Sequence, residues 1–264
     1  MEQAIVFAAQ QFIGFELCKQ LLDGGFEVIA LEHEMMLDEQ TEDKWLEIGR
    51  NANLTYEMIN NSLQLNHPSY HCFIPLYDLF IQRNNEIVED WHKSFTTLYQ
   101  LIEPKVELII FISPAEWRVN EHTIYQEIKN ELLQSTRKSH WIEFFLPTIY
   151  GPWQPNQFLF QQLINKQQHQ SYIDDLEDAL YIEDAVRTIL DNTVMELYGE
   201  TVLIESGHTD MWWKCVNYLN PTFQRKNQLE SRKVEKISKK ISVKENMSFE
   251  QALEMQKQHY FRKL

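Results

Sequence analysis

The sequence predicts an α/β fold, a doubly wound parallel sheet followed by a small C-terminal α+β lobe, and three observations point to it. Short apolar runs alternate with helical stretches up to Pro147, the pattern of parallel strands covered on both faces. Ile13, Leu17, Leu21 and Leu22 follow the first run at helical spacing, so a strand passes directly into a helix. After Pro147 the character changes, and a loop containing Gly151, Pro152, Trp153 and Pro155 leads into shorter elements.

Strands are expected over Ala4 to Phe7, Glu27 to Leu31, Leu54 to Met58, His71 to Leu76, Val106 to Ser113 and Trp141 to Leu146. Each is a short apolar run between turn or polar residues. Helices are expected over Phe12 to Asp23, Asn85 to Ile102, Glu121 to Ser135 and Gln157 to Lys166. Gly24-Gly25 ends the first, because glycine supplies the left-handed conformation that helix ends favour. A last helix, Ser248 to Arg262, opens on Ser248 as N-cap with Gln251 at the third helical position, a capping box. Residues 1–150 are read as the main domain and 151–264 as a smaller, partly interleaved lobe, with a ligand cleft between them at the carboxyl ends of the strands.

Composition narrows the functional classes. With 264 residues, 44% of them hydrophobic, the chain can bury a sizeable core. No apolar run approaches the roughly 18 residues of a membrane span. The first strand begins at Ala4, which leaves no room for a signal peptide, so a cytoplasmic location is expected. Cys18, Cys72 and Cys215 are odd in number and far apart, as buried, reduced thiols would be. His67, His71 and Cys72 straddle a turn at Pro68 without a second ligand pair, and no metal is expected.

The formal charge of −15 repels nucleic acid and anionic lipid. Against it stands a basic run, Arg225, Lys226, Arg232, Lys233, Lys236, Lys239, Lys240 and Lys244, which reads either as a solvated connector or as a phosphate-contacting patch. Only 7 residues are glycine, against about 7% in an average protein. Phosphate-cradling loops depend on glycine, so an ordinary nucleotide loop is not expected.

Four stretches, in order, resemble the extended short-chain dehydrogenase/reductase family, in its NAD-dependent epimerase/dehydratase branch. The first is Ala4 to Gly14 with Gly25 to Leu31, similar to that family's strand, glycine turn, Phe-Ile-Gly helix start and second strand. The second is Leu146-Pro147-Thr148-Ile149-Tyr150-Gly151-Pro152, and the third Asp178-Ala179-Leu180-Tyr181-Ile182-Glu183-Asp184-Ala185-Val186. The fourth is Ser248-Phe249-Glu250 with the closing helix. The resemblance implies a Rossmann-like fold, NAD or NADP as cofactor, a nucleotide-sugar or related hydroxyl-bearing substrate, and a homodimer through the helices Asn85 to Ile102 and Glu121 to Ser135.

It also implies site residues. The turn Ala8, Gln11, Phe12 and Ile13 would face the pyrophosphate. Ala8 and Gln11 stand where the family has its first two glycines, while the third, Gly14, is kept for close helix–strand packing. Gln11 would border the phosphate path, or donate its amide hydrogens to a phosphate. Glu32, after the second strand, would accept the adenine-ribose hydroxyls and favour NAD over NADP; the other reading is a solvent-facing Glu. Tyr125 and Lys129, at i and i+4, share one helical face. In the resembling family such a Tyr is the acid/base, and the Lys lowers its pKa while holding the nicotinamide ribose; the other reading is an exposed helical pair. Ser113 would orient the carbonyl. Leu146 replaces the family's Arg, Pro75-Leu76-Tyr77 replaces its Leu-Ala-Ala, and the loop after Ser113 is short. Two functions follow: an NAD(P)-dependent epimerase, dehydratase or reductase, or a non-catalytic binding or regulatory protein with a weakened or lost cofactor site.

Overall fold

The computed structural model describes residues 2–37, 41–59, 63, 65–82, 84–118, 127, 130–131, 140–166, 171–224 and 237–262. The chain divides into two compact units, Met1–Ser113, Glu121–Glu143 and Thr193–Glu200 in one, and Pro114–Asn120, Phe144–Asn192 and Thr201–Leu264 in the other.

The first unit is a run of strands and helices: β1 (Gln3–Phe7), α1 (Phe12–Asp23), β2 (Glu27–Glu32), α2 (Thr41–Ile48), β3 (Leu54–Met58), β4 (Tyr70–Ile74), α3 (Leu76–Gln82), α4 (Asn85–Ile102) and β5 (Val106–Pro114). β6 (His140–Leu146) runs on into the second unit. There the chain forms β7 (Thr148–Tyr150), α5 (Leu159–Ile164), β8 (Ala179–Tyr181), α6 (Ile182–Asp191), β9 (Thr201–Glu205), α7 (Met211–Leu219), β10 (Lys239–Ser242) and α8 (Phe249–Phe261).

The eight sheet strands follow the hydrogen-bonding order β10-β9-β6-β5-β4-β1-β2-β3, and β7 pairs with β8 separately. Within it the order β3-β2-β1-β4-β5-β6 is that of a doubly wound sheet, reversing direction between β1 and β4. β1 pairs in parallel with β2 on one side and β4 on the other, with Ile5 opposite both Ile29 and Cys72. Burial on both faces explains the continuous apolar runs: every residue of β1 is buried, and in β5 all but Glu107.

Local chemistry sets the boundaries. Gly25, at φ 82°, ends α1, and its N–H donates to the Leu22 carbonyl. Asn84 caps α4 through its side chain, which accepts from Glu86 and Ile87 N–H. Val88, Trp91, Phe95, Leu98 and Ile102 then form one buried stripe. On it Trp91 stacks on Phe95 at 4.6 Å, and Phe95 meets Phe7 of β1 edge-on at the same separation. In the second unit the capping box at Ser248 and Gln251 is formed.

Several expectations are corrected. The strand expected to reach Leu76 ends at Ile74, because Pro75 lacks an N–H for the ladder and Leu76 begins α3. The helix expected over Gln157 to Lys166 is only Leu159–Ile164. Asp174 accepts the Leu159 N–H at its start, and Lys166, at φ 54°, stands beyond its end. Part of the basic run is a strand rather than a connector: β10 pairs in parallel with β9, and Lys240 reaches Glu205 at 3.1 Å. Residues 225–236 lie outside the described residues, as does most of the expected helix Glu121 to Ser135. Cys18, Cys72 and Cys215 are buried free thiols. No helix among the described residues is long and apolar enough to cross a membrane.

Candidate functional site

The turn between β1 and α1 is built by three backbone features. Ala8 takes a left-handed conformation, φ 49°, at the position of the first expected glycine. Its carbonyl accepts the Gln11 N–H at 3.0 Å, which closes the bend. Ala9 N–H reaches across to the Leu31 carbonyl of β2 at 3.1 Å. Gly14 then packs against this bend so closely that a β-carbon would sit 2.0 Å from the Ala8 oxygen. The retained glycine is therefore a packing requirement of the turn itself.

Side chains fill what lies in front of that turn. The N-terminus of α1 receives no side-chain bond from its own N-cap residue, Gln11. It receives instead the carboxylate of Asp78, from the first turn of α3. Ile13 N–H donates to both Asp78 oxygens, at 3.0 and 3.1 Å, and Gly14 N–H to Oδ2 at 2.9 Å. A carboxylate is well placed there, since the helix start carries unpaired N–H groups and the positive end of the dipole.

Gln11 is drawn the other way. Its side-chain amide donates to the Met36 carbonyl at 2.7 Å and lies 3.5 Å from Glu32 Oε2, while its own oxygen accepts from Gln82 at 3.1 Å. Glu32 is 0% exposed. Its oxygens accept the backbone N–H groups of Gln10 and His33, at 2.8 and 2.9 Å. Lys44 of α2 is buried beside them and donates to the Gln10 carbonyl at 2.7 Å.

Burial pushes both carboxyl groups up to about 7. For Glu32 the His33, Gln10 and Gln11 hydrogen bonds and the Lys44 charge oppose the burial. For Asp78 the Ile13 and Gly14 N–H bonds and Lys44 oppose it, and the Glu32 charge adds to it.

The expected site residues are thus placed as follows. Ala8, Gln11, Phe12, Ile13 and Glu32 are brought together at one turn, all buried. The solvent-facing reading of Glu32 is corrected, because its carboxylate is an internal acceptor for two backbone N–H groups. Ser113, at the end of β5, is 0% exposed and donates its hydroxyl proton to Glu143 of β6 at 2.9 Å. Tyr125 and Lys129 lie outside the described residues. Asp78, Lys44, Gln82 and Glu143 escaped the sequence reading. Asp78 followed directly on Pro75-Leu76-Tyr77, already noted as a departure, but an acid in the first turn of a helix is too ordinary to signal a role.

A dinucleotide, the cofactor that such a turn holds elsewhere, does not fit this turn as it stands. The Ile13 and Gly14 N–H groups are engaged by Asp78, Gln11 spans from the turn to Met36, and Glu32 is wholly buried with its oxygens turned to backbone N–H groups.

Solved structures superpose on nearly the whole chain. A dTDP-glucose 4,6-dehydratase from Bacillus anthracis, in complex with NAD, matches at TM-score 0.67 and 14% identity, over 99% of this chain and 97% of its own. The fold is that of the nucleotide-sugar epimerases and dehydratases. A UDP-glucose 4-epimerase from Thermotoga maritima, with UDP-glucose, matches at TM-score 0.64 and 13% identity over 99% of each chain. Pal from Bacillus thuringiensis matches at TM-score 0.69 and 15% identity, over 99% of this chain and 100% of its own. No family model matches the sequence, and no curated protein does. The likeness lies in the architecture.

Proposed function

We propose that this chain is an epimerase/dehydratase-like protein for a nucleotide-sugar or related hydroxyl-bearing ligand, in a non-catalytic, binding or regulatory form whose dinucleotide site is closed by its own side chains. The observation that carries it is Glu32. The acid that would receive a ribose is wholly buried and already accepts Gln10 and His33 N–H. The ligand class is supported by the dehydratase and epimerase named above, of whose chains this one covers 97% and 99%. In the second unit a groove of about 360 Å³ is lined by Asp175, Glu177, Asp178, Glu205, His208 and Lys240, chiefly acceptors suited to the hydroxyls of such a ligand. Thermal-shift measurements with UDP-glucose and dTDP-glucose test this: a saturable rise in melting temperature is expected, and no shift with either at millimolar concentration would remove the ligand class.

The second reading, an NAD(P)-dependent epimerase or dehydratase, is supported by the fold it shares with those enzymes. In it Tyr125 serves as acid/base, Lys129 lowers its pKa, Ser113 orients the carbonyl and Glu32 favours NAD. It requires Asp78 and Gln11 to leave the turn. NAD(P)-dependent turnover abolished by Tyr125→Phe would decide for it. In either reading the scaffold constrains activity less than it constrains architecture.

A further inference from the structure

We propose that Asp78 is an internal stand-in for the phosphate, holding the N-terminus of α1 closed against dinucleotides, with Gln11 as its latch. The inference rests on the reading of this chain as an epimerase/dehydratase-like scaffold.

The geometry carries it in three steps. An anion at a helix start needs backbone N–H groups aimed at it. At α1 those of Ile13 and Gly14 are directed at one carboxylate, at 2.9 to 3.1 Å. That carboxylate is 1% exposed, and it is fixed by the fold, since Asp78 lies in the first turn of α3 and its N–H donates to the Pro75 carbonyl. An incoming phosphate would have to displace a like charge from the same donors, which low-dielectric surroundings make costly.

The second step is the latch. With a glycine at position 11 the backbone would lie bare before the helix; here the side chain crosses to Met36 and is backed by Gln82. The third is the cation. Lys44 is buried at the same turn and bonded to Gln10, so a positive charge that would suit a phosphate already serves the protein's own carboxylates.

The test is NADH and NADPH titration, followed by fluorescence, of the wild-type chain, Asp78→Ala, Asp78→Asn and the double variant Asp78→Ala/Gln11→Gly, each checked for folding by circular dichroism. Weak or no binding by the wild type is expected, with at least about tenfold tighter binding by the folded double variant. Equal affinity of wild type and double variant would overturn the closure and leave the scaffold reading standing. A folded double variant that binds no dinucleotide would overturn it too, because something other than Asp78 and Gln11 then closes the turn.

Should the alanine variants fail to fold, amide NMR of the wild type and Asp78→Asn decides. The Ile13 and Gly14 amide shifts should follow one carboxyl titration in the wild type and lose it in Asp78→Asn. Flat shifts in the wild type would overturn the assignment. Failure of the ligand reading shows separately, as the absence of any nucleotide-sugar thermal shift.

Discussion

A β-carbon placed on Gly14 would lie 2.0 Å from the carbonyl oxygen of Ala8. Backbone meets backbone there, so no side-chain rearrangement can relieve the contact. Gly14→Ala should therefore cost at least about 3 kcal/mol or prevent folding. Urea unfolding of the variant measures it, and a loss below about 1 kcal/mol would mean that α1 can slide away from the turn.

Ala8 presents the opposite case. Its φ of 49° is one that a residue with a β-carbon adopts at a cost. Ala8→Gly removes that strain and adds unfolded-state entropy, effects that partly offset. The net expected outcome is a gain of about 0.5 kcal/mol, read as a higher urea midpoint at unchanged slope.

Gln11 is tied at both ends of its amide, to Met36 and Gln82. Gln11→Ala should destabilise by about 1–2 kcal/mol, the cost of leaving the buried Met36 carbonyl and the half-buried Gln82 amide without their partner. A stable variant would show that the latch contributes nothing to the folded state.

Asp78 and Glu32 give the protein an unusual dependence on pH. Both are raised to about 7 in the folded chain, while ordinary carboxyl groups titrate near 4 in the unfolded one. Between those values the folded state binds more protons, so stability falls as pH rises from about 4 to about 7. The melting temperature should be higher at pH 5.5 than at pH 8, by an amount reflecting about 1–3 kcal/mol. Relief of the negative net charge acts in the same direction, so the decisive comparison is Asp78→Asn, in which the slope should flatten. An unchanged slope would refute the role of Asp78.

Ser113 donates to a buried carboxylate. Ser113→Ala takes one donor from Glu143, and a loss of about 1–3 kcal/mol is expected on thermal unfolding. A neutral effect on stability would mean that the Ser113–Glu143 bond contributes nothing to the folded state.

Much of the first unit was legible because β1, β4 and β5 are buried on both faces. Such strands leave continuous apolar runs such as Val106 to Ser113, and the helix Asn85 to Ile102 leaves an amphipathic stretch. Thr41–Ile48 was not legible: it is short, charged and only mildly amphipathic, and it is placed by Trp45 packing between Phe15 and Tyr56 at 6.0 and 5.5 Å. β10 was hidden for a related reason, since an exposed strand built on Lys239 and Lys240 carries no apolar signal. At the site, the sequence showed which residues had lost their glycine, because those changes are local. It could not show what replaced the ligand's contacts. Asp78 is 65 residues from Ile13 and Gln82 is 71 from Gln11, and only the fold brings them together.

The carboxylate on α1 also bears on how much folded protein a cell would hold. A protein that leaves that helix start to a bound anion gains stability in proportion to the logarithm of ligand supply, and loses it when supply falls. Here the anion is covalently part of the chain, at a local concentration that nothing outside can deplete. The stability of that helix start is then independent of dinucleotide supply, and the half-life of this protein should not follow the cell's level of NAD or NADP.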